Sequence, residues 1–389
     1  MRKIKVLIIV GHYLPGFNSG GILRSVINTV DHLSDEFEFY VLTRNHDLGV
    51  SQPYKNSDIN DWQKVGNAKV YYLDRKAMSY NNIYKLINAN SFDCIHLNSF
   101  FDMLSIKVNF AMQSGKIKQK PLLLSPRGEF AEASFNIKFF KKFLFVKLVK
   151  FLGLYSQCHW HVSSQFELLD LNRIMRIKNP TINIVKDLPI YVNTSNSNFD
   201  RSCFKENTLR IIFLSRISLE KNLDVAIKIL SHISSSIIFD IYGTIENKKY
   251  WNKCMKMIGS LPKNIKVKYI GIVSSDDVIN VFSRYDLFLF PTGGENYGHV
   301  IAESISAGTK VLISKNTPWQ NLEADKLGWS FELDDLDSFV DVINEMSKQS
   351  ISERINEKMH VIKGASARLS NPALIGENRL MYRNLSSIF

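Results

Sequence analysis

Twice along this chain, short apolar runs of strand length alternate with segments of helical period, and that alternation restricts the fold more than any other feature. The first series reads "KVLIIV", "GILRSVINTVDHL", "FEFYVLT", "FDCIHL" and "PLLLS". After the polar stretch "NTSNSNFDRSCFKEN" at 193–207, a linker by composition, it restarts with "LRIIFLS", "NLDVAIKILSHI", "IIFDIYG", "IKVKYIG", "SDDVINVFSRY", "DLFLFP", "HVIAESISAG" and "KVLIS". Strand alternating with helix predicts an α/β fold with parallel, doubly wound sheets. Two series predict two Rossmann-like halves with a cleft between them, and 389 residues suffice for two cores. The expected division is 1–190, 191–370 and a terminal helix over 371–389 packing back on the first half.

Ligands of open α/β sheets sit beyond the carboxyl ends of the strands, so the strand-to-loop junctions carry the functional reading. Four stand out. In "GHYLPGFNSGGILRS", Gly20 and Gly21 precede a helix; backbone amides there approach a phosphate closely, although the spacing is not the dinucleotide fingerprint and a flexible turn is the competing reading. In "FLSRISLEKN", Arg216 and Lys221 leave a strand and can face an anion, against the alternative of a solvated loop. In "FPTGGENYGHVIAESISAG", a glycine-rich turn runs into a helix that Gly308 closes. Amides around Tyr297, Gly298, His299 and Val300 are placed for phosphate oxygens, while Glu295 and Glu303 can accept from hydroxyls. An acid near a helix start also suits the helix dipole without any ligand, but Glu303 falls in an otherwise apolar helix. In "LLLSPRGEF", Ser125, Arg127 and Glu129 follow a strand as a shaped anion-binding loop or a surface turn.

These stretches resemble the retaining glycosyltransferases of family 4, of the bacterial surface-polysaccharide and lipopolysaccharide type. The resemblance runs through "GHYLPGFNSGG", "VLTRNHDLG", "SPRGEF" with "KFFKKFLF", "HVSSQFE", "SRISLEKN", "PTGGENYGHVIAESISAGTKV" and "TPWQNL", nearly the whole chain. It implies the GT-B fold and transfer of a sugar from a nucleotide diphosphate to a glycan or lipid-linked acceptor. It also implies that Arg216 and Lys221 hold the diphosphate, that Glu303 binds the ribose and Glu295 the transferred sugar. Amides near Gly298, His299 and Val300 would bind phosphate and sugar, and Gly21 would approach the donor from the other domain. Arg127 stands where many relatives have a histidine, and His161 matches a family histidine whose role is less defined; both are assigned to the acceptor side, Arg127 also to catalysis. No metal is implied. The DxD at Asp335 and Asp337 precedes a helix and reads as an N-cap cluster. A nucleotide-sugar 2-epimerase of the same architecture and a non-catalytic sugar-nucleotide-binding subunit are the alternatives.

Composition narrows the partners. With 49 Lys+Arg against 37 Asp+Glu, the net charge of +12 suits anionic ligands. No nucleic-acid-binding module spacing occurs, so nucleic acid is not expected. The cysteines, Cys94, Cys158, Cys203 and Cys254, form no CxxC pair and fit a reducing compartment. The apolar run at the start is too short for a signal peptide, and the expected location is cytoplasmic, with a peripheral position on the inner face of the cell membrane open. Residues 133–166 contain no acid, while 135–157 interleave Lys138, Lys141, Lys142, Lys147 and Lys150 with Phe, Leu and Val. An anionic membrane surface is the partner that suits this segment; a packed helix with snorkelling lysines is the alternative, since Lys147 falls opposite the first three on a helical wheel.

Overall fold

The computed structural model describes residues 2–55, 57–176, 181–190 and 208–388. The linker expected at 193–207 and Cys203 lie outside them. The chain divides into two compact units, Met1–Tyr191 with Pro372–Phe389, and Val192–Asn371.

The first unit contains β1 (Ile4–Val10), α1 (Gly21–Leu33), β2 (Phe37–Arg44), β3 (Trp62–Val65), β4 (Ala68–Leu73), α2 (Tyr80–Asn88) and β5 (Cys94–Asn98). It continues with α3 (Met103–Gln113), β6 (Leu122–Ser125), α4 (Glu132–Asn136), α5 (Phe139–Phe151), β7 (His159–Val162), α6 (Gln165–Met175) and β8 (Ile182–Ile184). The strand order is β3-β4-β2-β1-β5-β6-β7-β8. All pairings are parallel except β3 with β4. That hairpin is absent from the sequence expectations; its signal was "VGNA", a two-residue Gly66-Asn67 turn, with Gly66 at φ 57°. Both faces of the sheet are covered. Leu7 and Ile9 enter one apolar cluster while Val6, Ile8 and Val10 enter the other, the period-2 alternation of a central strand. Against the second face packs the terminal helix, numbered below as α13, whose Tyr382 lies 5.5 and 6.0 Å from the rings of Phe37 and Phe39.

The second unit runs β9 (Leu209–Leu214), a 3-10 turn (Leu219–Lys221), α7 (Leu223–Leu230), β10 (Ile237–Tyr242), α8 (Lys248–Ile258), β11 (Ile265–Gly271) and α9 (Val278–Phe282). Then come β12 (Leu287–Phe290), α10 (His299–Ser306), β13 (Lys310–Ser314), β14 (Gly328–Phe331), α11 (Leu336–Lys348) and α12 (Ile351–Leu369), before α13 (Pro372–Ser386) returns to the first unit. Its sheet, β11-β10-β9-β12-β13-β14, is parallel throughout. Local sequence sets the helix ends: Ser350 and Glu353 form a capping box on α12, and Asp335 caps α11 through Ser338 N at 3.3 Å. Gly308, at φ 79°, ends α10. A Cβ there would stand 2.9 Å from Ile362 Cγ1 and 3.0 Å from Lys358 O, so the close packing of α10 on α12 requires glycine. Arg354 on α12 pairs with Asp286 before β12 at 2.9 Å, both side chains buried.

Candidate functional site

In the second sheet the order reverses between β9 and β12, the place where open α/β sheets hold ligands. The loops leaving these two strands are stitched together. Asn222, in the left-handed region at φ 53°, donates from Nδ2 to Pro291 O at 2.9 Å. Gly293 N donates to Glu220 O at 2.7 Å. The loop after β10 is pressed against that after β9: a Cβ on Gly243, at φ 134°, would lie 1.8 Å from Ser215 O. Glycine is the residue that permits this approach, and through it Glu246 reaches Arg216.

Five charged side chains meet here. Lys221 Nζ lies 2.7 Å from Glu295 Oε1 and 3.6 Å from Glu220 Oε1. Arg216 donates to Glu246 Oε1 at 2.6 Å and to Glu220 Oε1 at 3.1 Å. Burial works against the Arg216 charge, but Glu246, Glu220 and Glu295 outweigh it and raise its pKa. Lys221 is 8% exposed, far less than lysines generally are, so its partners must hold its charge. Sequence reading found Arg216, Lys221 and Glu295 but not Glu220 or Glu246.

The turn after β12 is pinned on its other side by the loop after β13. Glu295 N donates to Asn316 O at 3.2 Å, and Trp319 Nε1 to Tyr297 O at 2.5 Å. Gly298, at φ 81°, stands at the N-cap of α10 with no side chain capping it. A Cβ there would be 3.1 Å from Trp319 Nε1. His299 and Glu303, both buried, lie four residues apart and so on one face of α10; the Tyr297 and His299 rings are 4.6 Å apart. The structure thus joins Arg216, Lys221 and Glu295 through ion pairs, and places Tyr297, Gly298, His299, Val300 and Glu303 on the contiguous turn and helix.

Gly20, Gly21, Arg127 and His161 belong to the first unit. Gly20, at φ 60°, is the N-cap of α1, and Gly21 its first residue. Arg127, also left-handed at φ 56°, is turned inward. It pairs with Asp187, both side chains 4% exposed, and donates from Nε and Nη2 to Asn98 Oδ1 at 2.9 and 2.8 Å. Asp187 in turn accepts from Ser25 Oγ of α1 at 2.7 Å. The sequence offered Arg127 as an anion ligand; its fork is engaged within the unit.

His161 closes a buried hydrogen-bond chain. Its Nε2 lies 2.8 Å from Val185 O, and its Nδ1 2.7 Å from Ser125 Oγ. Ser125 Oγ is 2.7 Å from His96 Nε2, and His96 Nδ1 is 2.7 Å from Tyr382 Oη. With both rings neutral, one direction satisfies every atom: Tyr382 donates to His96, His96 to Ser125, Ser125 to His161 and His161 to the carbonyl. Burial, followed by Arg127, pushes His161 down to about 4 and His96 well below its usual range.

Residues 195–365 match the family model described as glycosyl transferases group 1. No curated protein matches the chain. Among solved structures, HepE of Anabaena in complex with UDP and glucose is similar over 99% of this chain and 100% of its own, at 13% identity and a TM-score of 0.70. Sucrose-phosphate synthase from Thermosynechococcus elongatus is similar over 98% and 99%, at 13% identity and 0.72. WaaG, a glycosyltransferase involved in lipopolysaccharide biosynthesis, is similar over 98% and 100%, at 14% and 0.64. The chain has the two-Rossmann-domain fold of the GT-B glycosyltransferases, and most of its second unit matches the glycosyl transferases group 1 family.

Proposed function

We propose that this protein is a retaining glycosyltransferase of family 4. It moves a sugar from a nucleotide diphosphate to a glycan or lipid-linked acceptor in bacterial surface-polysaccharide assembly. The observation that carries this reading is the Arg216–Lys221–Glu295 cluster at the switch point of the unit that matches the glycosyl transferases group 1 model. Arg216 and Lys221 take the diphosphate and stabilise its departure as charge develops, an electrostatic form of catalysis. Glu295 holds the hydroxyls of the transferred sugar, Glu303 those of the ribose, and the uncapped start of α10 meets phosphate oxygens. Two cations and a helix start neutralise the diphosphate without a metal ion. Gly20 and Gly21 let the β1–α1 loop approach the donor. Arg127 and His161 act as positioning groups on the acceptor side. UDP and glucose in the HepE structure and the role of WaaG in lipopolysaccharide biosynthesis support a UDP-sugar donor and a surface glycan product.

Attachment to the inner face of the cell membrane goes with this reading. No helix among the described residues is long and apolar enough to cross a membrane. On α5 only Val146 and Val149 are buried, while Phe140 is 78% and Phe151 87% exposed beside exposed Lys141, Lys147 and Lys150. With so much of the helix bare, the position of Lys147 on the wheel no longer argues against an anionic leaflet.

Thermal-shift screening against UDP- and GDP-sugars tests the donor assignment. One of them should raise the melting temperature, with or without EDTA, and Arg216→Ala/Lys221→Ala should abolish the response. An undiminished response in the double variant would overturn it.

A further inference from the structure

The charged cluster of the second unit is richer in acid than in base. Two cations, Arg216 and Lys221, meet three carboxylates, Glu220, Glu246 and Glu295, so the five side chains together carry one net negative charge. The uncapped start of α10 lends back about half a positive charge. A diphosphate is itself an anion, and it binds cations whose N–H groups are open to it. Here Arg216 Nη1 already donates to Glu246 Oε1 at 2.6 Å and Nη2 to Glu220 Oε1 at 3.1 Å, so two carboxylates take the end of the guanidinium fork. One of them has to leave before that end can meet phosphate.

The three acids are not held alike. Glu295 and Glu220 both lie against Lys221, and their side chains are 16 and 14% exposed. The main chain of Glu220 is also engaged, its carbonyl accepting from Gly293 N at 2.7 Å and Thr292 Oγ1 at 3.3 Å. The Glu246 side chain is 36% exposed, and among the described residues its carboxylate bonds Arg216 alone. Its backbone, by contrast, is fixed, because the loops after β9 and β10 go on pairing beyond the strands. Ser215 N donates to Tyr242 O at 3.1 Å, Ile217 N to Thr244 O at 2.8 Å and Glu246 N to Ile217 O at 3.3 Å. The side chain can therefore rotate into water while the main chain stays in place. An ion pair this exposed is weak, and breaking it changes an equilibrium by about fivefold at most.

We infer that Glu246 occupies the place of a donor phosphate on Arg216 and swings aside when the nucleotide diphosphate arrives. The inference rests on the donor assignment proposed above and adds to it a residue that opposes binding. In the empty site Glu246 compensates the Arg216 charge. With nucleotide bound, its departure takes one negative charge out of the contact, so the diphosphate meets a cluster of two cations and two acids rather than an acidic one. After transfer, the same carboxylate competes with the nucleotide product for the Arg216 N–H groups and favours its release.

The test is calorimetric titration of the full-length protein with UDP, GDP and ADP, using the wild type, Glu246→Gln, Glu246→Asp and Arg216→Ala. At an exposed position neither Glu246 substitution threatens the fold. Gln removes the charge, whereas Asp keeps the charge and draws it back from Arg216 by one methylene, which separates the contact from the general field. Glu246→Gln should bind one of the nucleotides about fivefold more tightly than the wild type, and Glu246→Asp at least about twofold more tightly. Arg216→Ala should weaken or abolish binding. Affinity that is unchanged or lowered in Glu246→Gln, or raised by Gln but not by Asp, overturns the inference and leaves the donor assignment standing. Nucleotide binding undiminished in Arg216→Ala, or no binding to any of the four proteins, removes the donor assignment and the inference with it.

Discussion

Replacing Lys221 with Met would expose how the candidate donor site is balanced. The ammonium lies 2.7 Å from Glu295 and 3.6 Å from Glu220, with side-chain exposures of 11, 16 and 14%. Its loss leaves Glu220, Glu246 and Glu295 against Arg216 alone, with Arg216 and Glu246 themselves 41 and 36% exposed. Breaking one side of a buried pair costs roughly 3–5 kcal/mol, and the residual exposure places this case near about 3 kcal/mol. Glu295→Gln should cost about 2 kcal/mol, because it removes the charge and keeps the shape while leaving Lys221 near Glu220. The double variant strands neither partner. Its cost should fall short of the sum by about 2 kcal/mol, within the range measured for contacting residues. Native-state hydrogen exchange read by mass spectrometry gives these numbers for each unit separately, with protection of β12 reporting the second and β5 serving as the internal control. Additive costs within about 0.5 kcal/mol would refute the coupling, and equal losses at β5 would show that the effect is not local to this site.

Three other outcomes follow from the same contacts. His161 takes up its proton at 6.5 when unfolded but only at about 4 when folded, so the stability it contributes is present above pH 6.5 and lost as the pH falls toward 4. Measured against His161→Asn, which leaves the titrations of His96, Glu129 and Glu167 in place, the loss approaches about 3 kcal/mol at 1.36 per pH unit, read as falling protection of β7. Gly243→Ala, with its Cβ driven to 1.8 Å from Ser215 O at φ 134°, should destabilise the second unit by about 3 kcal/mol or more in a thermal melt and separate Glu246 from Arg216. Phe140→Ser/Phe151→Ser should leave the melting temperature unchanged, since both rings are exposed, yet weaken sedimentation with anionic liposomes at least tenfold. Unchanged liposome binding after replacing Lys138, Lys141, Lys147 and Lys150 with Gln would sink the membrane assignment.

Much of the architecture could be read directly from the chain because strand and helix periods are local properties. "KVLIIV" and "LRIIFLS" are strands buried on both faces, and "HVIAESISAG" carries both its apolar stripe and the glycine that ends it. The Gly66-Asn67 hairpin is equally local, but its first strand is four residues long and largely half-exposed, so it carries little apolar period. Glu295, Arg216 and Lys221 announced themselves as charges at strand ends. What they do to one another depends on residues 30 to 75 positions apart: Glu246 bonds Arg216 across 30 residues and Glu295 bonds Lys221 across 74. The parallel sheet decides that adjacency by setting β10, β9 and β12 side by side. Tertiary structure alone decided that Arg127 faces Asp187, 60 residues away, and that His161 answers through Ser125 and His96 to Tyr382 on a helix 221 positions later. Periodicity and turn chemistry act over a few residues, so sequence determined the elements and the charged and glycine-rich character of their ends. Hydrogen bonds and ion pairs act over about 3 Å in space, so only the folded sheets determined which of those residues meet.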